Sequence, residues 1–291
     1  MKTFIRVAIL AAALVLAFAA GTWAVQQQPG QGQGQGQGQQ PPPPPAPGTL
    51  PGQPAAPAQP AVNPEEENAY KAFFDLKGTA DEQAMISSGE AFLKKFPESR
   101  YRESVYSRLT QAYLNVGQLD KMLVAGEKAL EINANDVDVL SVLSFGMLRR
   151  FNRDDLDAEQ KLEKAERYAK RGIDILNVLA KPEAMTEENF VRAKNEKLSM
   201  CHSGLGLSYL HRQRYVDSIA AFEHATTLAP SPDPTDLYLL GILYEATKRY
   251  ADAATTFTKC SEPPWAWQDR CKQGAEKNKK LAAIQGTPPK Q

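Results

Sequence analysis

Four residues in the second half of the chain have side chains that could bind a metal ion: Cys201, His202, His211 and His224. Zinc takes Cys and His as ligands. On a helix, however, the adjacent Cys201 and His202 would point about 100° apart. His224 is expected on a different helix from the other three. We therefore predict no metal site and no bound cofactor.

A catalytic nucleophile is equally hard to find in the sequence. It contains neither a Gly-x-Ser-x-Gly motif nor a glycine-rich loop that would hold a phosphate group. The remaining Ser, His and Asp residues are scattered, as expected for surface polar groups of a helical protein. We predict that the chain is not an enzyme, and an enzyme built on a helical scaffold is the less favoured alternative.

The overall charge is balanced, with 34 basic and 34 acidic residues in 291. Lys2 and Arg6 lie in the N-terminal segment, and 32 basic residues remain without them. Nucleic-acid binding requires a basic stripe or patch. The charge therefore does not favour a nucleic-acid partner.

The N-terminus, residues 1–24, has the pattern of a secretory signal peptide. Lys2 and Arg6 precede the apolar run 7–20, and small residues follow it. The alternative is an uncleaved helical membrane anchor, because residues 21–25 could extend the run toward the ~20 residues that a spanning helix needs. Either way we expect export to the periplasm or cell envelope, with membrane contact only through an uncleaved N-terminal helix.

Residues 25–63 consist of Gln-Gly repeats, five consecutive prolines at 41–45, and further Pro, Ala and Gln. Such a segment has too few apolar residues to offset the entropy lost on folding, so we predict a disordered arm. Its Pro-rich part favours an extended polyproline II conformation. The arm could be a passive linker, a spacer or a ligand for a proline-binding protein.

The final third of the sequence contains an internal repeat. Six residues recur thirty-five positions later: Leu205, Gly206, Tyr209, Tyr215, Phe222 and Ala225 correspond to Leu240, Gly241, Tyr244, Tyr250, Phe257 and Cys260. The spacings within each unit place apolar residues on one face of each of two helices. Each unit is therefore predicted to be a helical hairpin.

This pattern resembles the tetratricopeptide repeat (TPR) family. The residues that match the family pattern are Leu205, Gly206, Tyr209, Ser218, Phe222, Ala225 and Pro230. The resemblance implies an all-α, right-handed superhelical array of hairpins (a TPR solenoid) over residues 64–286, with a C-terminal capping helix. The expected units are about 65–98, 103–136, an enlarged 137–198, 199–232, 234–267 and a cap at 266–284.

Arrays of this family curve, and their first helices line a concave groove that binds peptides or proteins. The register of the repeats then predicts these partner-binding positions: Ser107, Gln111, Ser141, Phe145, Arg149, Ser203, Leu207, His211, Tyr238, Ile242 and Glu245. Only Arg149 and His211 are cationic, so a clamp for a C-terminal carboxylate is disfavoured. We expect an apolar centre that suits apolar side chains of a partner, unless Phe145 and Leu207 pack inside the enlarged hairpin.

The three cysteines allow one disulfide. Cys260 is expected on the second helix of the last repeat and Cys271 on the cap, at similar distances from the turn between them. We predict a Cys260–Cys271 disulfide and a free Cys201, the alternative being two reduced residues buried in the same seam. For the whole protein we predict a non-catalytic scaffold that binds a protein or peptide, and the alternative is a membrane-anchored structural spacer.

Overall fold

A computed structural model describes residues 63–76 and 81–285. The predicted signal peptide lies outside the described residues, as does the arm apart from Asn63. The described chain forms helices in this order: α1 Pro64–Asp75, α2 Glu82–Lys95, α3 Arg102–Asn115, α4 Leu119–Ile132, α5 Val137–Gly146, α6 Ala158–Val178, α7 Glu187–His211, α8 Tyr215–Leu228, α9 Pro234–Ala246, α10 Tyr250–Cys260 and α11 Gln268–Gln285.

The helices pack as successive hairpins, α1 with α2 through α9 with α10, and α11 packs against α10. Further contacts join neighbouring hairpins, for example α3 with α5 and α5 with α7. The prediction of an all-helical array of hairpins is confirmed. No helix within the described residues has both the length and the apolar character needed to cross a membrane.

The turns inside three hairpins share one backbone conformation. Gly117, Gln213 and Lys248 all have φ between 60° and 72°, in the left-handed region. In each case the next residue donates its N–H to a carbonyl five residues back, for example Arg249 to Tyr244 at 2.8 Å. This bond is typical of the Schellman motif, which satisfies carbonyls at a helix end. Gln213 and Lys248 are thirty-five positions apart, so the repeat extends to backbone geometry.

Glycines let helices approach closely both between neighbouring hairpins and within one hairpin. A Cβ atom on Gly204 would lie 2.4 Å from the carbonyl oxygen of Ser144, so α5 and α7 touch almost backbone to backbone. A Cβ on Gly241 would lie 2.8 Å from the ring of Phe257, inside the last hairpin. The glycines of the repeat pattern are therefore packing residues, as their spacing predicts.

The enlarged middle unit has two long helices, α6 with 21 residues and α7 with 25. Thr186 caps α7 by accepting a hydrogen bond from the backbone N–H of Asn189 at 3.3 Å, as the Thr186-Glu-Glu pattern predicts. The buried face of α6 consists of Leu162, Ala165, Ala169, Gly172 and Leu176. This unit therefore buries one apolar face of α6, while Leu179, which follows the helix, is 40% exposed.

The capping helix α11 is attached to the last hairpin at two places. Cys260 and Cys271 form a disulfide with Cα atoms 5.7 Å apart. At the other place, Glu245 accepts hydrogen bonds from Lys277 and from Asn278, the latter at 2.7 Å. Cys201 is a free, buried thiol, far along the chain from this pair.

Candidate functional site

The predicted partner-binding positions differ widely in their exposure. Gln111 and Ile242 are exposed, and Ser107, Phe145, His211, Tyr238 and Glu245 are half-buried. The structure buries Ser141, Ser203 and Leu207, and the side chain of Arg149 is only 7% exposed. Those four side chains therefore lie in the interior and do not line an open surface.

Two of the interior positions, Arg149 and Ser203, meet where the end of α5, α7 and the start of α9 converge. Arg149 donates to Asp233 at 3.0 Å, and its guanidinium also lies 3.9 Å from Asp236. The Ser203 hydroxyl donates to Asp236 at 2.8 Å. The Arg149 guanidinium covers the ring of Phe145, with Cζ 3.9 Å from the ring centroid. We call Arg149, Ser203, Asp233 and Asp236 the central network, and with Leu207 buried it replaces the expected apolar centre.

Burial and charge act in opposite directions on the two carboxyls of the central network. Burial raises the pKa of Asp236 to about 7, and repulsion from Asp233 adds to this effect. Burial would also raise the pKa of Asp233, but Arg149 and hydrogen bonds from Thr235 lower it overall. Near neutral pH, Asp233 is therefore ionised and pairs with Arg149, whereas Asp236 gains or loses its proton in this pH range.

The pKa of Asp236 predicts a measurable pH dependence of stability. In the unfolded chain an Asp titrates near pH 3.9, so between about pH 4 and pH 7 the folded state binds more protons at this site. Its contribution to stability is then complete below pH 4 and is lost as the pH rises toward 7. Relative to Asp236→Asn, the wild type should lose about 1–3 kcal/mol between pH 4.5 and pH 8.

Urea unfolding of both proteins at the two pH values measures this difference. The conservative change keeps an oxygen acceptor for the Ser203 hydroxyl, so packing is matched. A difference in free energy of unfolding that is the same at pH 4.5 and pH 8 would contradict the assignment.

A second site opens along α3. It is a groove of about 600 Å³ between Leu76 at the end of α1, the start of α2, one face of α3, and the α4–α5 turn with the start of α5, which we call the α3 groove. It contains the predicted positions Ser107 and Gln111. Its charged and amide side chains are Glu82, Glu103, Arg108, Gln111, Asn115, Asn133, Asn135, Asp136 and Asp138.

The amides of the α3 groove are held by its carboxylates. Asn115 donates to Glu82 at 2.7 Å, and Asn133 donates to Glu103 at 3.2 Å. Arg108, the single cationic side chain in the lining, stacks on Phe74 with Cζ 4.4 Å from the ring centroid. The groove thus combines four carboxylates with oriented amides, which suits a cationic ligand with free backbone groups.

At the other end of the described chain, Tyr238 lies in a group of aromatic rings. Its ring centroid is 5.1 Å from that of Trp267 and 6.3 Å from that of Trp265, in edge-to-face orientations. The two indoles are 5.8 Å apart. We call these three residues the aromatic cluster, and all three are half-buried.

The residues considered as metal ligands do not converge. His202 and His224 stack with ring centroids 4.9 Å apart, but His211 packs on Phe151 instead. Cys201 is buried, which raises the pKa of its thiol to about 12. Within the described ranges no three His, Cys, Asp or Glu side chains are grouped so that they could hold a metal ion.

Two features of these sites were not predicted from the sequence. Asp233 and Asp236 pair with Arg149, which lies 84 positions before Asp233 in the chain, and no local pattern signals that contact. The Asp233-Pro234 pair does match a helix start, and Asp233 indeed accepts from the backbone N–H of Thr235 at 2.7 Å. The aromatic cluster had a weaker signal in the Trp265-x-Trp267 spacing beside two prolines.

Comparison with known proteins gives similarity of fold only. No family model matches the chain, and no curated protein matches it. Among solved structures, it is similar to TTC0263, a thermophilic TPR protein in Thermus thermophilus, with TM-score 0.46 and 17% identity over 75% of this chain and 99% of that one. It is also similar to PilW, a widely conserved type IV pilus biogenesis factor, with TM-score 0.49 and 13% identity over 79% and 96%.

A third similar structure is Acl4, the assembly chaperone of RpL4 (residues 1–338), with TM-score 0.49 and 11% identity over 77% of this chain and 89% of that one. These similarities are too distant to assign a partner.

Proposed function

We propose that this chain is a non-catalytic scaffold that binds a cationic, extended segment of another protein in the α3 groove. The observation that carries the proposal is the composition of that groove, with four carboxylates, four amide side chains and one guanidinium. The helical hairpins hold these groups on several different segments. Such a surface recognises charge and peptide backbone together.

The charges favour a ligand with Lys or Arg side chains. Asp136 is engaged in capping α5, where it accepts from the backbone N–H groups of Asp138 and Val139. Asp138 forms an ion pair with Lys197 at 2.9 Å. Glu82 and Glu103 have only amide partners among the groove contacts. These two carboxylates are therefore the anchors that we assign to a cationic side chain.

The amides suit an extended peptide. Gln111 and Asn115 are exposed, and the Gln111 side chain donates to that of Asn115 at 2.7 Å. Asn and Gln each provide both donors and an acceptor, so they can bind the free N–H and C=O groups of a peptide. An extended segment exposes those groups along its length, whereas a helical ligand does not.

We also propose that the protein is exported to the periplasm or cell envelope and acts there without catalysing a reaction. The N-terminal sequence supports export, and the absence of nucleophile or phosphate-loop motifs from the sequence supports binding without chemistry. The alternative function is a membrane-anchored spacer, in which residues 1–24 stay attached. The N-terminal residue of the mature protein distinguishes the two, because retention of Met1 supports the anchor.

A peptide-binding experiment tests the groove. A fluorescein-labelled decapeptide of Lys and Ala should bind the mature protein, and its Glu-and-Ala counterpart should not. The double change Glu82→Gln with Glu103→Gln should weaken binding of the Lys peptide about tenfold, since each exposed charge pair contributes ~0.5–1 kcal/mol. Binding should also weaken as salt rises.

The matched control removes two carboxylates outside the groove, by Glu262→Gln with Asp269→Asn. Both side chains are exposed near the start of α11, so the net charge changes equally while the groove stays intact. Equal loss in the two double variants, or equal binding of the Glu peptide, would exclude the α3 groove as the site. Fluorescence anisotropy measures all of these affinities.

A further inference from the structure

We propose that the aromatic cluster, Tyr238 with Trp265 and Trp267, binds the chain's own Pro-rich residues 41–60 in the polyproline II conformation. The cluster lies between α9 and the start of α11, away in the chain from the α3 groove. This inference does not rest on the proposed function. It names a ligand for the aromatic cluster, whereas the proposed function concerns only the α3 groove.

The shape of the cluster suits a proline-rich ligand. The Tyr238 ring meets both indoles edge to face, at interplanar angles of 66° and 73°. Rings in edge-to-face contact present a ridged aromatic surface, and Arg270 borders it with Cζ 5.1 Å from the centroid of the Trp267 ring. Polyproline II ligands dock their pyrrolidine rings on aromatic-lined surfaces of this kind. Pro263 is half-buried and Pro264 is exposed beside the cluster.

The hydrogen-bonding groups of the cluster also suit a proline-rich ligand. The Trp265 indole N–H donates to the carbonyl of Cys260 at 3.0 Å. In the described part of the chain, neither the Trp267 indole N–H nor the Tyr238 hydroxyl has a hydrogen-bond partner. A polyproline II helix makes no internal hydrogen bonds, and each Pro lacks an N–H. Such a ligand therefore presents acceptors, and the cluster presents the donors.

The rings of the cluster are held rigidly. Tyr238 also packs on Phe257, with ring centroids 5.9 Å apart, and Phe257 is 1% exposed. The Cys260–Cys271 disulfide fastens the turn that carries both indoles. Side chains held in place before binding lose little entropy when the ligand arrives. A weak proline ligand can then bind measurably.

The arm has the composition and the length that the cluster requires of a ligand. Ten of the twenty residues 41–60 are Pro, and none is charged. If residues 41–45 occupy the cluster, the tether 46–62 reaches about 50 Å at ~3.1 Å per residue. The path through alternate helices, α1–α3–α5–α7–α9–α11, has five steps, which at ~8–10 Å each cover about 40–50 Å. The extended tether is therefore long enough for docking within one chain.

The test compares the full mature chain with a variant in which the ten prolines of residues 41–60 are Ser. Nuclear magnetic resonance of the indole N–H groups of Trp265 and Trp267 reports on the cluster. We expect the Trp267 signal to differ between the two proteins. Addition of a peptide of residues 41–60 to the variant should restore the wild-type position, and a peptide with the ten prolines replaced by Ser should not. Replacing the Gln residues between Gln31 and Gln40 by Ser is the matched control and should change nothing.

Tyr238→Phe keeps the ring and removes one donor. In the Pro-to-Ser background it should weaken binding of the 41–60 peptide about three- to tenfold while the circular dichroism stays unchanged. Two results together would overturn the proposal. The Trp267 signals of the wild type and the Pro-to-Ser variant would be identical, and the 41–60 peptide would not bind at millimolar concentration. A wild-type signal that changes on dilution, with a matching change in mass by light scattering, would place a second copy's arm on the cluster and overturn docking within one chain.

Discussion

Replacing Arg149 by Ala should lower the free energy of unfolding by about 3–5 kcal/mol at pH 7. Arg149 is the only cationic side chain that pairs with Asp233 or Asp236 within the described residues, and its side chain is 7% exposed. Without it, the ionised Asp233 would remain beside Asp236 with no counter-charge. The Asp233 side chain is 30% exposed and that of Asp236 only 3%, so water solvates the uncompensated charge only in part and the charge is costly.

The neighbouring Arg150→Ala supplies the control. Arg150 is exposed, and its contact with the carbonyl of Gly117 is 3.4 Å long, so its loss should cost less than about 0.5 kcal/mol. Urea unfolding followed by circular dichroism compares the two variants. Equal stabilities for Arg149→Ala and Arg150→Ala would show that the central network does not hold α5, α7 and α9 together.

A compensating variant separates charge from packing. Adding Asp233→Asn and Asp236→Asn to an Arg149→Met chain removes all three charges while keeping similar volumes. Buried ion pairs replaced by neutral groups often lose little stability. The triple variant should therefore be more stable than Arg149→Ala alone. If it is less stable, the ion pairs themselves contribute net stability at this site.

The sequence predicts the helices well because their signals are local. The apolar face of α6 and the Thr186 cap of α7 depend on residues within one or two turns of each other. The match between Gly206 with Phe222 and Gly241 with Phe257 depends on a repeat offset that can be counted directly. Such features need no knowledge of the assembled structure.

The binding surface is harder to predict because exposure depends on distant residues. Ser203 and Leu207 have the same register as exposed positions in other hairpins, yet they are buried where α7 crosses α5 and contacts Asp236. Register alone cannot show which face the enlarged unit covers.

The two candidate surfaces also differ in what the sequence reveals about their ligands. The α3 groove collects its charges from α2, α3 and the α4–α5 turn, so no short motif predicts its acidic character. The aromatic cluster takes two of its three rings from one short turn and sits in a chain with a long proline-rich segment. Its proposed ligand can therefore be identified from chemistry contained in the same chain.

The second large expected effect concerns the last hairpin. Replacing Phe257 by Ala should lower the free energy of unfolding by about 3–5 kcal/mol. The Phe257 ring is 1% exposed and fills the space left by Gly241 on α9 and Gly274 on α11. It therefore joins the last hairpin to the cap. Truncation would leave a cavity between three helices, and neither glycine has a side chain that could fill it.

The loss of stability caused by Phe257→Ala should be confined to α9, α10 and α11. Hairpins in a repeat array contact only their neighbours, so a terminal unit can unfold while the others remain folded. Phe222→Ala is the matched comparison, since Phe222 packs on Gly206 in the same way but lies in an interior hairpin with neighbours on both sides. The loss of stability caused by Phe222→Ala should spread to the hairpins on either side.

Amide hydrogen exchange distinguishes these outcomes helix by helix. In Phe257→Ala, protection should fall in α9–α11 and stay near wild type in α3 and α4, whereas Phe222→Ala should lower protection on both sides of α8. Reducing the Cys260–Cys271 disulfide should lower protection of α11 further, because the crosslink spans eleven residues and stabilises by about 3 kcal/mol or less. Uniform loss of protection from α3 to α11 in Phe257→Ala would mean that the array unfolds as one unit, and the cap would then stabilise the α3 groove as well as the aromatic cluster.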